Sequence, residues 1–121
     1  MATVHLRKWP LENCVVFSAD IYVAAGFSDP IRNYRGRYQT EDQAYEVMGL
    51  FGMHGLHVRC ARLMRWPRIA CEEAQDGDWG LNQTEMGPSS VIRYGGMWVG
   101  SREGGFSVSR DENLIAAWKV L

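Results

Sequence analysis

Cys14 lies in the segment Trp9-Pro10-Leu11-Glu12-Asn13-Cys14-Val15-Val16-Phe17-Ser18-Ala19-Asp20. Asn13 is a good helix N-cap residue, and an apolar run with helical spacing follows it at once. The pattern predicts a helix over residues 14–25 with Cys14 in its first turn. Unpaired amide donors and the helix dipole stabilise negative charge there. A thiol so placed is drawn towards thiolate, the nucleophilic form. A nucleophile also needs a base, and the three histidines, His5, His54 and His57, all lie away from Cys14 in sequence.

The other residues with chemical potential read more plainly. His54, His57, Cys60 and Cys71 are types that zinc accepts. Three of the four crowd into seven residues, which is no standard finger, so they read as ordinary loop and helix residues and no metal or cofactor is expected. His57 would serve as a base for Cys14 only if the middle of the chain folded back over the first helix. Asp78 follows Gly77 and suits turn chemistry at a strand entrance. Arg35, Arg37, Arg59, Arg62, Arg65 and Arg68 form a basic cluster, with Glu72, Glu73, Asp76 and Asp78 close behind. That mixture fits a solvated surface or a protein interface better than a phosphate site. No glycine-rich stretch leads into Lys-Ser or Lys-Thr, so no phosphate loop is present. Trp66, Trp79, Trp98 and Trp118 read as core or interface anchors.

The 121 residues suffice for one domain, read as spanning 1–121. The chain is 46% hydrophobic and 22% charged, as in ordinary globular proteins, and its net charge of -1 gives no nucleic-acid footprint. No apolar run approaches the ~18–20 residues of a membrane span, and residues 1–8 lack the apolar core of a signal peptide. Three scattered cysteines argue against a disulfide framework and for synthesis in a reducing cytoplasm.

The elements that position these residues fall in two blocks. Residues 1–12 read as an extended lead-in. The first helix stops at Gly26, and a short turn or helical piece follows to about residue 38. Thr40 with Gln43 signals a second helix over about 41–50. In residues 56–65, Leu56, Cys60, Leu63 and Met64 fit a third helix, the preferred reading, while Val58 and Cys60 also fit strand alternation. From Gly77 the pattern changes to short runs rich in Val, Ile, Phe and Trp, at 77–81, 90–94, 97–100 and 104–110. Gly95-Gly96 marks a hairpin turn. The tail, 114–121, is apolar and either closes the sheet or forms a short helix. Helices followed by a meander of strands predict an α+β fold, with N-terminal helices packed on a small antiparallel sheet of about four or five strands.

The ordered set Asn13-Cys14, Ser28-Asp29-Pro30, Arg35-Gly36-Arg37-Tyr38-Gln39-Thr40, Gly77-Asp78 and Ala117-Trp118-Lys119-Val120 covers nearly the whole chain. It resembles the NlpC/P60 branch of papain-like cysteine peptidases, and within it a group of short phage and prophage tail proteins. The resemblance implies an NlpC/P60-like fold, Cys14 at the nucleophile position, a place at the virion tail tip, and tail hub or distal tail proteins as partners. It also implies a link to bacterial peptidoglycan, whose stem peptides the active members cleave. Two departures stand out. The active enzymes carry Asp-Cys where this chain has Asn13-Cys14. They carry a catalytic histidine at the start of the second strand, where this chain reads Gly87-Pro88-Ser89-Ser90-Val91-Ile92. A serine hydroxyl is no base near neutral pH. The expectation is therefore a tail-assembly protein, made in the host cytoplasm, with a degenerate peptidase site. The alternatives are an active cysteine peptidase using Cys14 and, more weakly, a small host-takeover protein of the same fold.

Overall fold

A computed structural model describes residues 10–37, 42–43, 46, 49, 52–85, 87–102 and 105–121. Among them are two helices, α1 (Pro10–Ala24) and α2 (Gly52–Met64). Six strands follow: β1 (Arg68–Ile69), β2 (Trp79–Thr84), β3 (Gly87–Tyr94), β4 (Met97–Arg102), β5 (Gly105–Ser109) and β6 (Leu114–Trp118). The strands form one antiparallel sheet in the order β1-β6-β2-β3-β4-β5. The fold is α+β.

Helix α1 begins four residues earlier than the Asn13 cap predicts. Pro10 opens it, because its fixed φ suits the first helical position and its missing N–H costs nothing there. Cys14 consequently sits in the second turn. The helix stops as expected at Gly26. Its φ of +102° allows Phe27 N–H to reach Tyr22 O and Gly26 N–H to reach Val23 O, both at 3.0 Å. Helix α2 ends by the same device, but with Arg65 in the left-handed region at φ 60°. The third predicted helix is thus present, and it starts earlier, at Gly52. Of the predicted 41–50 helix, Asp42, Gln43 and Glu46 are helical, and the remaining residues except Gly49 lie outside the described set. Most of the predicted lead-in, including His5, also lies outside it.

Strand alternation sorts the sheet into two faces. Trp79, Leu81, Ile92, Ala116 and Trp118 face the helices and join Cys14, Val15, Ala19, Tyr22, Leu56 and Cys60 in the main core. Val91, Trp98 and Ala117 form a smaller cluster on the other face with Ile69, Ala74 and Leu114. Gly80 is required there, since a Cβ at this position would lie 2.7 Å from Trp98 Cζ3. The Gly95-Gly96 turn has φ of +61° and +77°, the conformation that a two-residue hairpin turn between twisted strands demands.

The sheet has six strands where four or five were expected. The surplus arises at its two ends in sequence. Arg68–Ile69 pairs with the tail, and the tail itself is a strand inserted between β1 and β2. Helix α1 packs across β3 and β4, which places Cys14 against the start of β3.

Candidate functional site

The centre of interest is the junction of α1, α2 and the first residues of β3. Among the described residues, β3 and β4 pair at Ile92↔Val99, Arg93↔Trp98 and Tyr94↔Met97. At Ser90 the β3 backbone turns its amide to the helix instead, and Ser90 N–H donates to Cys14 Sγ at 3.3 Å. The Ser89 hydroxyl reaches the same sulfur. Cys14 is fully buried. Burial is the dominant influence and raises the Cys14 thiol above its ordinary value. The hydrogen bonds from Ser90, Ser89 and the Val15 and Cys14 amides oppose this only in part. Helical position therefore does not make Cys14 a thiolate. The expectation of an activated first-turn cysteine fails because the helix starts four residues earlier and the sulfur is cut off from water.

His57 is brought to this junction, as the folding back of the middle segment required. Its ring is wholly buried and lies 4.3 Å from Trp79 and 5.8 Å from Trp118, near parallel to both. Nδ1 lies 2.8 Å from Met53 O, and a carbonyl can only accept, so Nδ1 carries the proton. Nε2 is then an acceptor, and it lies 2.9 Å from Ser90 Oγ. The Ser90 hydroxyl must donate to it. Ser90 Oγ in turn accepts from Trp79 Nε1–H at 2.8 Å and from the Ser18 hydroxyl at 3.0 Å. The one proton and both lone pairs of Ser90 Oγ are used. Burial lowers His57 to about 4, so the ring is neutral near pH 7. This is a closed network: both ring nitrogens are engaged by Met53 and Ser90, and Ser90 stands between His57 and Cys14. His57 holds the start of β3 in place. It does not face the thiol as a free base.

The remaining candidates separate. His54 is exposed on α2 and meets the edge of Trp118, at 6.5 Å. Among the described residues no three His, Cys, Asp or Glu side chains gather to hold a metal ion. Cys60 is buried and pushed up to about 12 by burial, and Cys71 is partly exposed on a short 3-10 turn. Burial thus holds both the Cys14 and the Cys60 thiols above their ordinary value.

Asp78 does the turn work expected of it, accepting Gln75 N–H at 2.9 Å. It also does something no local pattern announced. Its carboxylate, 4% exposed, accepts Val120 N–H at 3.1 Å and Lys119 Nζ at 2.9 Å, so it pins the end of β6. The arginine cluster disperses. Arg35 pairs with Asp29 and Asp20, Arg59 lies over the Tyr34 ring, and Arg68 lies over Trp118. These contacts fit a charged, partly stacked surface.

Two residues of the site were missed by sequence reading. Ser18 and Asn82 carry no motif. Asn82 is buried and lies directly opposite Ser89 in the β2–β3 ladder. Its Nδ2 donates to Ser109 Oγ at 2.9 Å, while its Oδ1 has no hydrogen-bond partner among the described residues. Alternation within β2 was the only available hint that residue 82 shares a face with Gly80.

A family model matches residues 5–120, nearly the full length. The chain belongs to the DUF6950 family, a domain of unknown function. No curated protein matches this DUF6950 chain. Among its described residues no helix is long and apolar enough to cross a membrane.

Proposed function

We propose that this DUF6950 chain is a phage or prophage tail protein built on an NlpC/P60-like fold, with a peptidase site that is degenerate and a role that is structural. The observation that carries the reading is the contact of the β3 start with Cys14, at 3.3 Å from Ser90 N to Sγ. In the peptidases this chain resembles, that strand start supplies the catalytic histidine. Here it supplies Ser89 and Ser90, which cannot take a proton from a thiol near neutral pH. Among the described residues the histidine at the junction is His57, and it spends both nitrogens on Met53 and Ser90. Burial keeps Cys14 protonated. Buried between α1 and β3, the Cys14 thiol packs in the main core. On this reading the partners are tail hub or distal tail proteins, and the place of action is the virion tail.

The test combines composition and activity. Mass spectrometry of purified particles is expected to find the chain in the tail, and the purified protein is expected to leave peptidoglycan uncut. Absence from particles would overturn the tail role. Release of stem peptides, abolished by Cys14→Ala, would replace the structural reading with that of a working cysteine peptidase.

A further inference from the structure

We propose that the outer edge of β5 is a self-association surface, where β5 pairs antiparallel with β5 of a second copy about a two-fold axis at Ser107. The inference goes beyond the tail reading and does not depend on it.

Three observations carry it. First, β5 is an open edge. It ends the sheet order, and among the described residues no strand pairs with its outer side. The amides and carbonyls on that side are a template for another strand, and native proteins blunt such an edge with charge, proline, a bulge or brevity. The opposite edge, β1, is blunted: it is two residues long and carries Arg68. β5 has none of these devices. Gly105-Phe106-Ser107-Val108-Ser109 holds no charge and no proline, and it pairs with β4 without a register shift.

Second, apolar surface gathers beside that edge. Phe106 is 68% exposed and Val108 59%. Both lie on the helix-facing side of the sheet, since Val108 is opposite Val99 and Val99 is opposite Ile92 of the main core. Phe106 meets Phe17 of α1 at 5.6 Å between ring centroids. Helix α1 runs along β3, from Cys14 at Ser90 to Tyr22 at Gly77, which bonds Arg93, and so in the direction of β5. Exposed Ile21 follows Phe17 by one helical turn as Val108 follows Phe106 by two strand residues. Both steps rise about 6 Å, so the four side chains form one apolar strip.

Third, the strand is complementary to itself. With Ser107 on the axis, Phe106 falls opposite the partner's Val108, and Val108 falls opposite the partner's Phe106. Aromatic and β-branched residues make favourable cross-strand pairs. Ser107 meets its own copy, and Gly105 meets the partner's Ser109, so no charges are opposed. The same five residues supply both halves, which is why the occupant is a second copy. A five-residue strand pair with these side chains buries on the order of 800 Å² in total, below the size of a standard stable interface. The dimer is therefore weak and reversible, with a Kd on the order of 100 µM.

The experiment uses the full chain. Sedimentation velocity from about 5 µM to about 1 mM is expected to show the average mass rising from one chain towards two. Val108→Lys, at an exposed position, is expected to abolish the rise with an unchanged circular dichroism spectrum, because it sets two like charges beside the axis. Disulfide cross-linking under mild oxidation then tests the register in a Cys71→Ala background, where the remaining cysteines are buried. Ser107→Cys is expected to link at least about tenfold faster than Tyr94→Cys, since strand pairing holds the two sulfurs together. Position 94 is 73% exposed, so simple collision favours the opposite order. No rise in mass by about 1 mM overturns the proposal. So does an equal rise in Val108→Lys, which places the contact on another face, or linkage of Ser107→Cys no faster than Tyr94→Cys. Should Ser107→Cys fail to fold, a mixture of Phe106→Cys and Val108→Cys gives the same decision. Faster linkage between the two species than within either supports the pairing, and equal rates overturn it. None of these readouts involves virions or peptidoglycan, so failure here and failure of the tail reading are separate results.

Discussion

The buried His57 should make this fold acid-sensitive in a defined window. Its folded value is lowered from 6.5 to about 4, first by burial, with the nearby His54 charge acting in the same direction. A depressed histidine contributes full stability above its unfolded value, and that contribution is lost as pH falls from about 6.5 towards 4, because the unfolded chain binds the proton and the folded one does not. Each pH unit inside the window costs about 1.4 kcal/mol. The whole window is then worth about 3 kcal/mol, and the fall from pH 7 to pH 5 about 2 kcal/mol. For a chain of this length that lowers Tm by about 8 °C. Asp29 and Asp111 do not confuse the measurement. Burial alone would raise Asp29, but Arg35 and the Ile31 amide hold it below its ordinary value. Hydrogen bonds from Trp98 and Arg93 lower Asp111. Both therefore lose their contributions at lower pH than His57 does. The assay is urea unfolding at half-unit steps from pH 8 to pH 5, on the native chain and on His57→Gln. Glutamine can still donate to the Met53 carbonyl and accept from Ser90, but it does not titrate. The native chain should lose about 2 kcal/mol between pH 7 and 5, and the variant should show a nearly flat profile from a lower starting stability. An equal slope in both chains would refute the argument that His57 is buried neutral. So would an NMR titration of the His57 ring with a midpoint near 6.5.

Four further outcomes follow from the same structure. Gly80→Ala should destabilise by about 1–3 kcal/mol in denaturant unfolding, because the new Cβ meets the Trp98 ring in a packed cluster. Asp78→Ala should cost about 2–4 kcal/mol and speed amide exchange at Val120, since it strips the acceptor from Val120 N–H, Gln75 N–H and Lys119. Arg65→Gly should raise stability by up to about 1 kcal/mol, as the α2 cap holds a side-chain-bearing residue at φ 60°. In the native chain at pH 7, iodoacetamide should label Cys71 well before Cys14 and Cys60, which are buried and carry raised thiol values; faster labelling of Cys14 would contradict its burial.

The sequence by itself determined the fold class and most of the element types, because those depend on local periodicity and turn chemistry. Gly26 ends α1 and Gly95-Gly96 turns β3 into β4 for reasons written in a few adjacent residues. Where helix-start signals competed, the local pattern erred. Asn13 looked like a cap, but Pro10 opens the helix, and that shift moved Cys14 into the second turn. The sequence also showed that no histidine stands at the start of β3, which is a matter of residue type alone. Only the tertiary structure decided what Cys14 and His57 are. Burial raises one and lowers the other, and burial comes from residues far along the chain: Ser90 lies 76 positions from Cys14 and 33 from His57. The place of the tail strand between β1 and β2, and the second role of Asp78 at the end of β6, are equally non-local. So is the burial of Asn82 Oδ1 without a hydrogen-bond partner among the described residues. Side-chain chemistry is chosen by the chain, but the charge state of a group is set by the dielectric and the partners that folding brings to it.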